Sequence, residues 1–545
     1  MKCIAITVLV ATFLTPALPT FASDELPVGS GLTASQSARM SATDGDELPV
    51  GSGLTAEALV RVQAGTDSMF DTTGNFSELA MQARYDAPEQ TGLYAGLDFR
   101  AINDDTYGVS SVFLGIPYYF LIREAGVGYE GSPLSGRAGR FPHSDVVESP
   151  YSLFVSSREQ SAFLYELDYQ GDWLRFLTRS VELNRNSDIK RGYELGYPDR
   201  SVVFQTVAIT REHWEFGFQD STVAVPAKDS AVVGVNDGES ELERAQTSDG
   251  SGPLFVPDLF FSPLPGFLTQ YILGSGDNPW RQDINYNSLM GFYGVVRGDG
   301  ADLPWQVESQ ILVDDFNANA FFNPSAEQQN PFMIGWMVSG RIDTDLGRFR
   351  LSHAGSTMYT FQDSQDRNYS YTYYPEISFP LNDEGDRRTL DYRDNYFGFY
   401  LGENTLALRL DWERDFDVAW GSFDRLDAGA SLEYTVSGTK SPANQWGDYS
   451  DWKEHGNDWP AESTRLLDES TLEHGLSLST QTSISRPLGG AELNVGLTGD
   501  LGVWFNVLEQ DAAGDGGPSP RDDLYRPSDR NYILGQAGVF ARMSY

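Results

Sequence analysis

From Ala58 to the C-terminus, apolar and polar residues alternate with a period of two, in stretches of about ten residues. The clearest stretch sets Ala491, Leu493, Val495, Leu497, Leu501, Val503, Phe505 and Val507 against Glu492, Asn494, Thr498, Asp500 and Asn506. Just before it, Leu476, Leu478, Thr480, Thr482 and Ile484 alternate with Ser477, Ser479, Gln481 and Ser483. Successive side chains of a strand point to opposite faces, so each stretch predicts a strand with one apolar and one polar face. Strands of soluble sandwiches usually run to about five or six residues, whereas a strand that crosses a bilayer needs about ten. The pattern predicts an all-β, antiparallel transmembrane barrel with lipid outside and water inside. No stretch of 18 apolar residues occurs after Ala58, which excludes spanning helices.

Connector lengths carry the same message. Arg486 to Gly490 is a short link, whereas Glu509 to Asp529 is a long polar loop before the last strand. Farther back, the short link Gly421 to Arg425 and the turn Thr344-Asp345-Leu346-Gly347 alternate with long loops, among them Gly438 to Thr471. Phe349 and Leu351 start a strand expected to rise to Phe361, and Gly298 to Leu303 joins two more strands. Short periplasmic turns and long extracellular loops are the layout of outer-membrane barrels. Counting from Val60-Val62 gives about 18 strands, an even number that puts both termini in the periplasm. The last strand carries Ala537, Val539, Ala541, Met543 and the terminal Tyr545 on one face, and Val539, Ala541, Met543 and Tyr545 are similar to the signal read by the barrel assembly machinery.

The N-terminus reads differently. Met1-Lys2, the apolar run Ile4 to Leu14 and the small residues flanking Phe21 predict a signal peptide over 1–22, cleaved before Ser23. Residues 23–57 are expected to be a flexible periplasmic leader in which DELPVGSGLTA occurs at Asp24 to Ala34 and again, unchanged, at Asp46 to Ala56. Two copies are too few for a solenoid. The barrel is then expected over 58–545. The only cysteine, Cys3, lies in the signal, so the exported chain has neither disulfides nor thiolate metal sites.

Composition narrows the partners. The 38 basic residues against 78 acidic ones give a net charge of -40, which argues against nucleic acid and anionic headgroups as general electrostatic partners. The expected partners are outer-membrane lipid with lipopolysaccharide or its equivalent, a surface polysaccharide and the assembly machinery, with the barrel itself a monomer. No cofactor is expected.

Local patterns between about 200 and 415 add a resemblance. His213-Trp214-Glu215-Phe216, the run Leu254-Phe255-Val256-Pro257 through Pro263-Leu264-Pro265, YNSLMG at Tyr286 to Gly291, Gln310 to Phe316, and YFGFYLG at Tyr396 to Gly402 follow in order. This succession resembles the capsule-assembly (Wzi-like) outer-membrane barrels, including spirochaetal members. The resemblance implies an 18-stranded barrel acting as a surface lectin for capsular or other exopolysaccharide.

The chemistry expected of such a lectin is aromatic faces for sugar rings, with carboxylates or amides for hydroxyls. The loop Gly438 to Thr471 offers Trp446, Tyr449, Trp452 and Trp459 interleaved with Asp448, Asp451, Glu454 and Asp458. The alternative is that these aromatics fold the loop onto itself or plug the lumen. Asp314 and Asp315, with Asn317 and Asn319, are oxygen donors for a divalent cation, but they lack the calcium-loop spacing, and hydrogen bonds fixing the rim loop are the competing reading. Trp412, Trp336 and the tyrosines near strand ends suit the interfacial girdles. No G-x-S-x-G, H-E-x-x-H or phosphate-binding glycine loop accompanies the histidines His143, His213, His353, His455 and His474, so an enzyme is not expected. A porin for small cationic or neutral solutes is the alternative function; it would set arginines and carboxylates in opposing ladders around an open lumen, with an inward-folded loop for selectivity.

Overall fold

The computed structural model describes residues 53–67, 72–88, 91–103, 109–110, 118–184, 190–191, 195–196, 199–225, 255–266, 268–269, 272, 286–300, 303–314, 332–362, 369–374, 378–380, 387–389, 391–421, 423–442, 466–510 and 524–545. The signal region 1–22, both full repeat copies' starts and the loop aromatics Trp446, Tyr449, Trp452 and Trp459 lie outside the described residues, as does Asp315.

Eighteen long strands close into one antiparallel barrel. They are β1 (Gly53–Asp67), β2 (Thr72–Asp86), β3 (Leu93–Ile102), β4 (Tyr119–Glu130), β5 (Leu134–Pro142) and β6 (Ser161–Gln170). Next come β7 (Leu174–Asn184), β8 (Arg200–Arg211), β9 (Trp214–Ala224), β10 (Tyr286–Gly300), β11 (Leu303–Val313) and β12 (Ile334–Thr344). The last six are β13 (Gly347–Ser356), β14 (Thr405–Trp420), β15 (Phe423–Ser437), β16 (Glu473–Leu488), β17 (Ala491–Phe505) and β18 (Asn531–Ser544). A two-residue strand, Val109–Ser110, adds a nineteenth member beside the top of β4. Each long strand pairs with its neighbours in sequence, and β18 pairs back onto β1 over Glu57 to Asp67, which removes any open edge along that seam.

β1 begins at Gly53, upstream of the expected Ala58, so the tail of the second repeat copy, Gly53 to Ala56, is part of the wall. The terminal residue completes the seam: Ala56 N–H donates to the Tyr545 carbonyl at 3.0 Å and Tyr545 N–H to that of Ala56 at 2.8 Å.

The outer face follows the alternation read from sequence. Leu408, Leu410, Leu432, Leu476, Leu497 and Leu501 are all exposed, and their sequence neighbours face inward. A soluble protein would not leave such a continuous apolar band facing water; a bilayer supplies its solvent. Trp173, Trp214, Trp305 and Trp420 are exposed at the short-turn end, and Trp412 Nε1 donates to the Leu346 carbonyl there at 3.0 Å. Trp336 sits near the opposite end, its Nε1 3.3 Å from His353 Nε2. The chain is therefore an outer-membrane-type barrel with tryptophans at both interfaces.

The long connectors all rise from one end. Two of them form a core inside the lumen: 143–160 between β5 and β6 and, between β13 and β14, the described residues 357–362, 369–374 and 391–404. The strand expected to reach Phe361 stops at Ser356: Tyr359 and Phe361 take positive φ values of 71° and 83°, and Phe361 points into the interior with no exposed surface. Such backbone is sparsely populated by bulky residues and breaks the pleat.

Candidate functional site

The inward segments build a hydrophobic core where a barrel lumen would ordinarily hold water. Tyr151, Leu153, Phe154 and Val155 from the first segment and Phe361, Tyr371, Tyr396, Phe397 and Phe399 from the second are completely buried. Their rings pack edge to face or stacked: Phe397 lies 5.2 Å from Tyr371 and 5.4 Å from His143, and Tyr151 lies 5.8 Å from Phe399. The receiving wall is apolar on its inner face, with Leu164, Leu177, Val181, Phe204, Val223, Leu289, Leu312 and Met337 in the same cluster. At about 1.5–3 kcal/mol for each large side chain withdrawn from water, this packing is a docked plug.

Polar contacts fix the plug's position. The Asp145 carboxylate accepts from Gln219 Nε2 at 2.8 Å and Gln310 Nε2 at 3.1 Å on the wall, and from the backbone N–H groups of Phe154 and Val155 in its own loop. Gln310 Oε1 accepts from Leu153 N–H at 2.9 Å. Arg200, fully buried at the top of β8, donates to the Ser370 carbonyl. His143 is also buried; burial pulls its imidazole down to about 3, so it is neutral where it meets Tyr373 Oη at 2.7 Å. The short helix α1 (Pro257–Phe260) lies inside too, with Thr178 Oγ1 donating to the Phe260 carbonyl and Gln205 Nε2 to that of Leu259.

The plug covers the wall from β5 to β13 and leaves a chamber along β14 to β17 and β1. The chamber holds about 1600 Å³ of space, part of it open to solvent. Arg158, Tyr392, Arg393 and Tyr400 face it from the plug; Arg61, Arg409, Asp411, Glu433, Glu473, Asp500 and Trp504 face it from the wall, among Ser431, Ser477, Ser479, Gln481 and Ser483. Glu433 ties the two sides together: Tyr151 Oη and Tyr400 Oη both donate to its Oε1 at 2.7 Å. Burial, and then the adjacent Glu433 carboxylate, hold both phenols above the usual tyrosine range, so both remain donors.

At the extracellular rim a second junction joins three loops. Lys440 is fully buried; its Nζ donates to the Glu403 carbonyl at 2.8 Å and to Thr405 Oγ1, and lies 5.3 Å from the Tyr392 ring. Its backbone pairs reciprocally with Tyr525 at 2.9 Å. The Glu403 carboxylate accepts from Tyr359 N–H, Gln362 Nε2, Ser441 N–H and Ser441 Oγ. Burial pushes Glu403 up to about 7 and Lys440 down to about 7.

Arginines on the wall pair with carboxylates on the same or the adjacent strand. Arg100 reaches Glu78 at 2.7 Å and Asp98 at 3.0 Å, Arg137 and Arg179 share Glu166, and Arg409 binds Asp411 at 2.7 Å. Among the described residues these form a belt of neighbouring pairs, not two ladders of opposite sign across a lumen.

The residues singled out by sequence fare unevenly. Asp314 is a loop fastener: its Oδ2 accepts from Phe361 N–H at 2.9 Å. No group of three or more metal-ligating side chains occurs among the described residues. Val539 and Tyr545 are exposed on the outer face of β18, as the alternation requires. The run YFGFYLG is the heart of the plug, a placement for which the sequence carries one signal, aromatics at consecutive positions where a wall strand would alternate.

No protein-family model and no curated protein matches the chain by sequence. Among solved structures, Wzi of Escherichia coli, an outer-membrane protein involved in group 1 capsule assembly and a carbohydrate-binding β-barrel, superposes with a TM-score of 0.42 at 11% identity, covering 90% of this chain and 84% of its own. OccD3 (OpdP) of Pseudomonas aeruginosa gives 0.40 at 11%, with 90% and 92% covered, and OccAB4 of Acinetobacter baumannii 0.41 at 8%, with 90% and 97% covered. Superpositions this loose carry no argument about activity.

Proposed function

We propose that this barrel holds surface polysaccharide at the outer membrane, the role expected from the local patterns between about 200 and 415, and is not a general diffusion pore. The observation that carries this reading is the plug: two loops packed into a dry aromatic core against half of the wall, a costly arrangement for an open conduit. In this reading Trp446, Tyr449, Trp452 and Trp459 of the long loop after β15 contact glycan outside the cell, and the excess of acidic residues favours a neutral glycan or one bridged by cations.

The test pairs two measurements. Glycan retention on cells should fall on Trp446→Ala and Trp452→Ala, while the purified barrel passes no steady current in a planar bilayer. Retention unchanged in both variants would count against the role given to this loop. The second reading, substrate-selective diffusion of small cationic or neutral solutes, is favoured by one observation, the chamber that the plug leaves beside β14 to β17.

A further inference from the structure

Trp504 occupies an unusual seat on the chamber wall. It projects inward from β17 opposite Gly475 of β16. A Cβ on Gly475 would come within 2.4 Å of the indole Nε1, and one on Gly502 within 2.3 Å of the six-membered ring. Two glycines on adjacent strands thus lie beneath opposite ends of one indole, which is the arrangement needed to lay it along the wall. Tyr532 of β18 borders it, ring centroids 5.0 Å apart. A flat indole edged by a phenol is a platform for an apolar ring face, which on a pyranose is the face of axial C–H bonds.

The surroundings suit the rest of a sugar. Glu433 Oε1 accepts from two plug tyrosines, while Oε2 has no hydrogen-bond partner among the described residues and is left to accept a hydroxyl. Ser431, Ser477, Ser479, Gln481 and Ser483 supply short donors and acceptors along the wall. The lining positions from Glu473 to Ser483 span roughly 30 Å of strand at about 3.3 Å per residue, long enough for several linked rings.

Charge selects among glycans. The lining arginines are already matched: Arg158 with Asp394, Arg393 with Asp391, Arg409 with Asp411 and Arg61 with Glu78. Glu433, Glu473 and Asp500 remain as further carboxylates, so a uronate would meet net repulsion whereas uncharged hydroxyls would meet acceptors. We propose that the chamber between the plug and the β14–β17 wall is a binding site for a linear, neutral oligosaccharide segment, with Trp504 as its stacking platform and Glu433 as a hydroxyl acceptor. This rests on the reading of the barrel as a glycan-holding protein, and places a second contact inside the wall.

The test uses the full-length refolded barrel on an array of neutral gluco- and manno-oligosaccharides and of oligogalacturonates, with heat-modifiable migration in gels as the check that each variant is folded. Retention of neutral members should fall at least about tenfold in Trp504→Ala and in Ser477→Phe, which fills the chamber beside the platform. Glu433→Gln should weaken it less, since the amide Nε2 that replaces Oε2 can donate to the same hydroxyl. Retention of uronates alone, or neutral retention unaltered in folded Trp504→Ala and Ser477→Phe, would overturn the proposal. A barrel that retains no member of either class overturns it as well. If retention is lost in Trp446→Ala and Trp452→Ala but not in the chamber variants, the glycan-holding reading stands and this inference fails; a large steady bilayer current would instead remove the reading itself.

Discussion

Gln310 of β11 donates from Nε2 to the Asp145 carboxylate at 3.1 Å and accepts through Oε1 from Leu153 N–H, so one wall side chain clasps the first inward loop at both its start and its middle. Gln219 completes the clasp from β9, donating to Asp145 and accepting from Gln310 Nε2 at 2.9 Å. The amides and the carboxylate satisfy each other inside a water-poor interior, where each orphaned group costs about 1–3 kcal/mol.

Asp145→Ala leaves Gln219, Gln310 and the Phe154 and Val155 N–H groups short of an acceptor. The expected loss is several kcal/mol of plug docking, read as excess bilayer conductance in a barrel whose strand content by circular dichroism is unchanged. Asp145→Asn, which keeps one carbonyl acceptor, should show a smaller current.

Phe397→Ala should act through packing alone. The ring is fully buried among His143, Tyr371 and Tyr373, and deleting it leaves a cavity worth about 3–5 kcal/mol. Protease sensitivity of the 357–404 segment in folded barrels should rise, with melting of the wall itself little changed.

The wall was legible in the sequence because lipid and lumen impose period two on every strand, as Ala491 to Val507 demonstrates. The plug was not. Its runs, Tyr151 to Val155 and Tyr396 to Leu401, have no period, because they are surrounded on all sides by other parts of the chain. The strand projected to Phe361 failed for the same reason: aromatic content matched a rim strand, but burial against Tyr371 and Tyr396 turned the chain inward. The seat of Trp504 is not legible along its own strand, since it depends on Gly475, a residue on another strand.

The rim junction predicts opposite pH responses in two variants. Glu403, raised by burial from 4.5 to about 7, favours the folded state when protonated; its contribution is complete below about 4.5 and is lost as pH rises through about 7. Lys440, lowered by burial from 10.5 to about 7, contributes above about 10.5 and loses that contribution as pH falls through about 7. In the parent chain these trends oppose each other near neutrality. Lys440→Met therefore should gain stability as pH falls from 7 to 5, and Glu403→Gln should lose it as pH falls from 9 to 7, each on the order of 3 kcal/mol. Thermal melting of the refolded barrels checks the signs, and equal slopes in the two variants would refute the assignment.

Removal of Tyr545 deletes both backbone hydrogen bonds to Ala56 and the exposed aromatic that ends β18. The folded, heat-modifiable fraction recovered from membranes should drop several-fold, whereas Tyr545→Phe, which keeps ring and backbone, should assemble normally.

Single-channel recording on the purified barrel in a planar bilayer tests the central claim most directly. A barrel plugged by the 143–160 and 357–404 segments is expected to give no steady current, with current appearing in Asp145→Ala. A large, stable conductance in the unaltered protein would contradict the occluded, glycan-holding account and leave selective diffusion in its place.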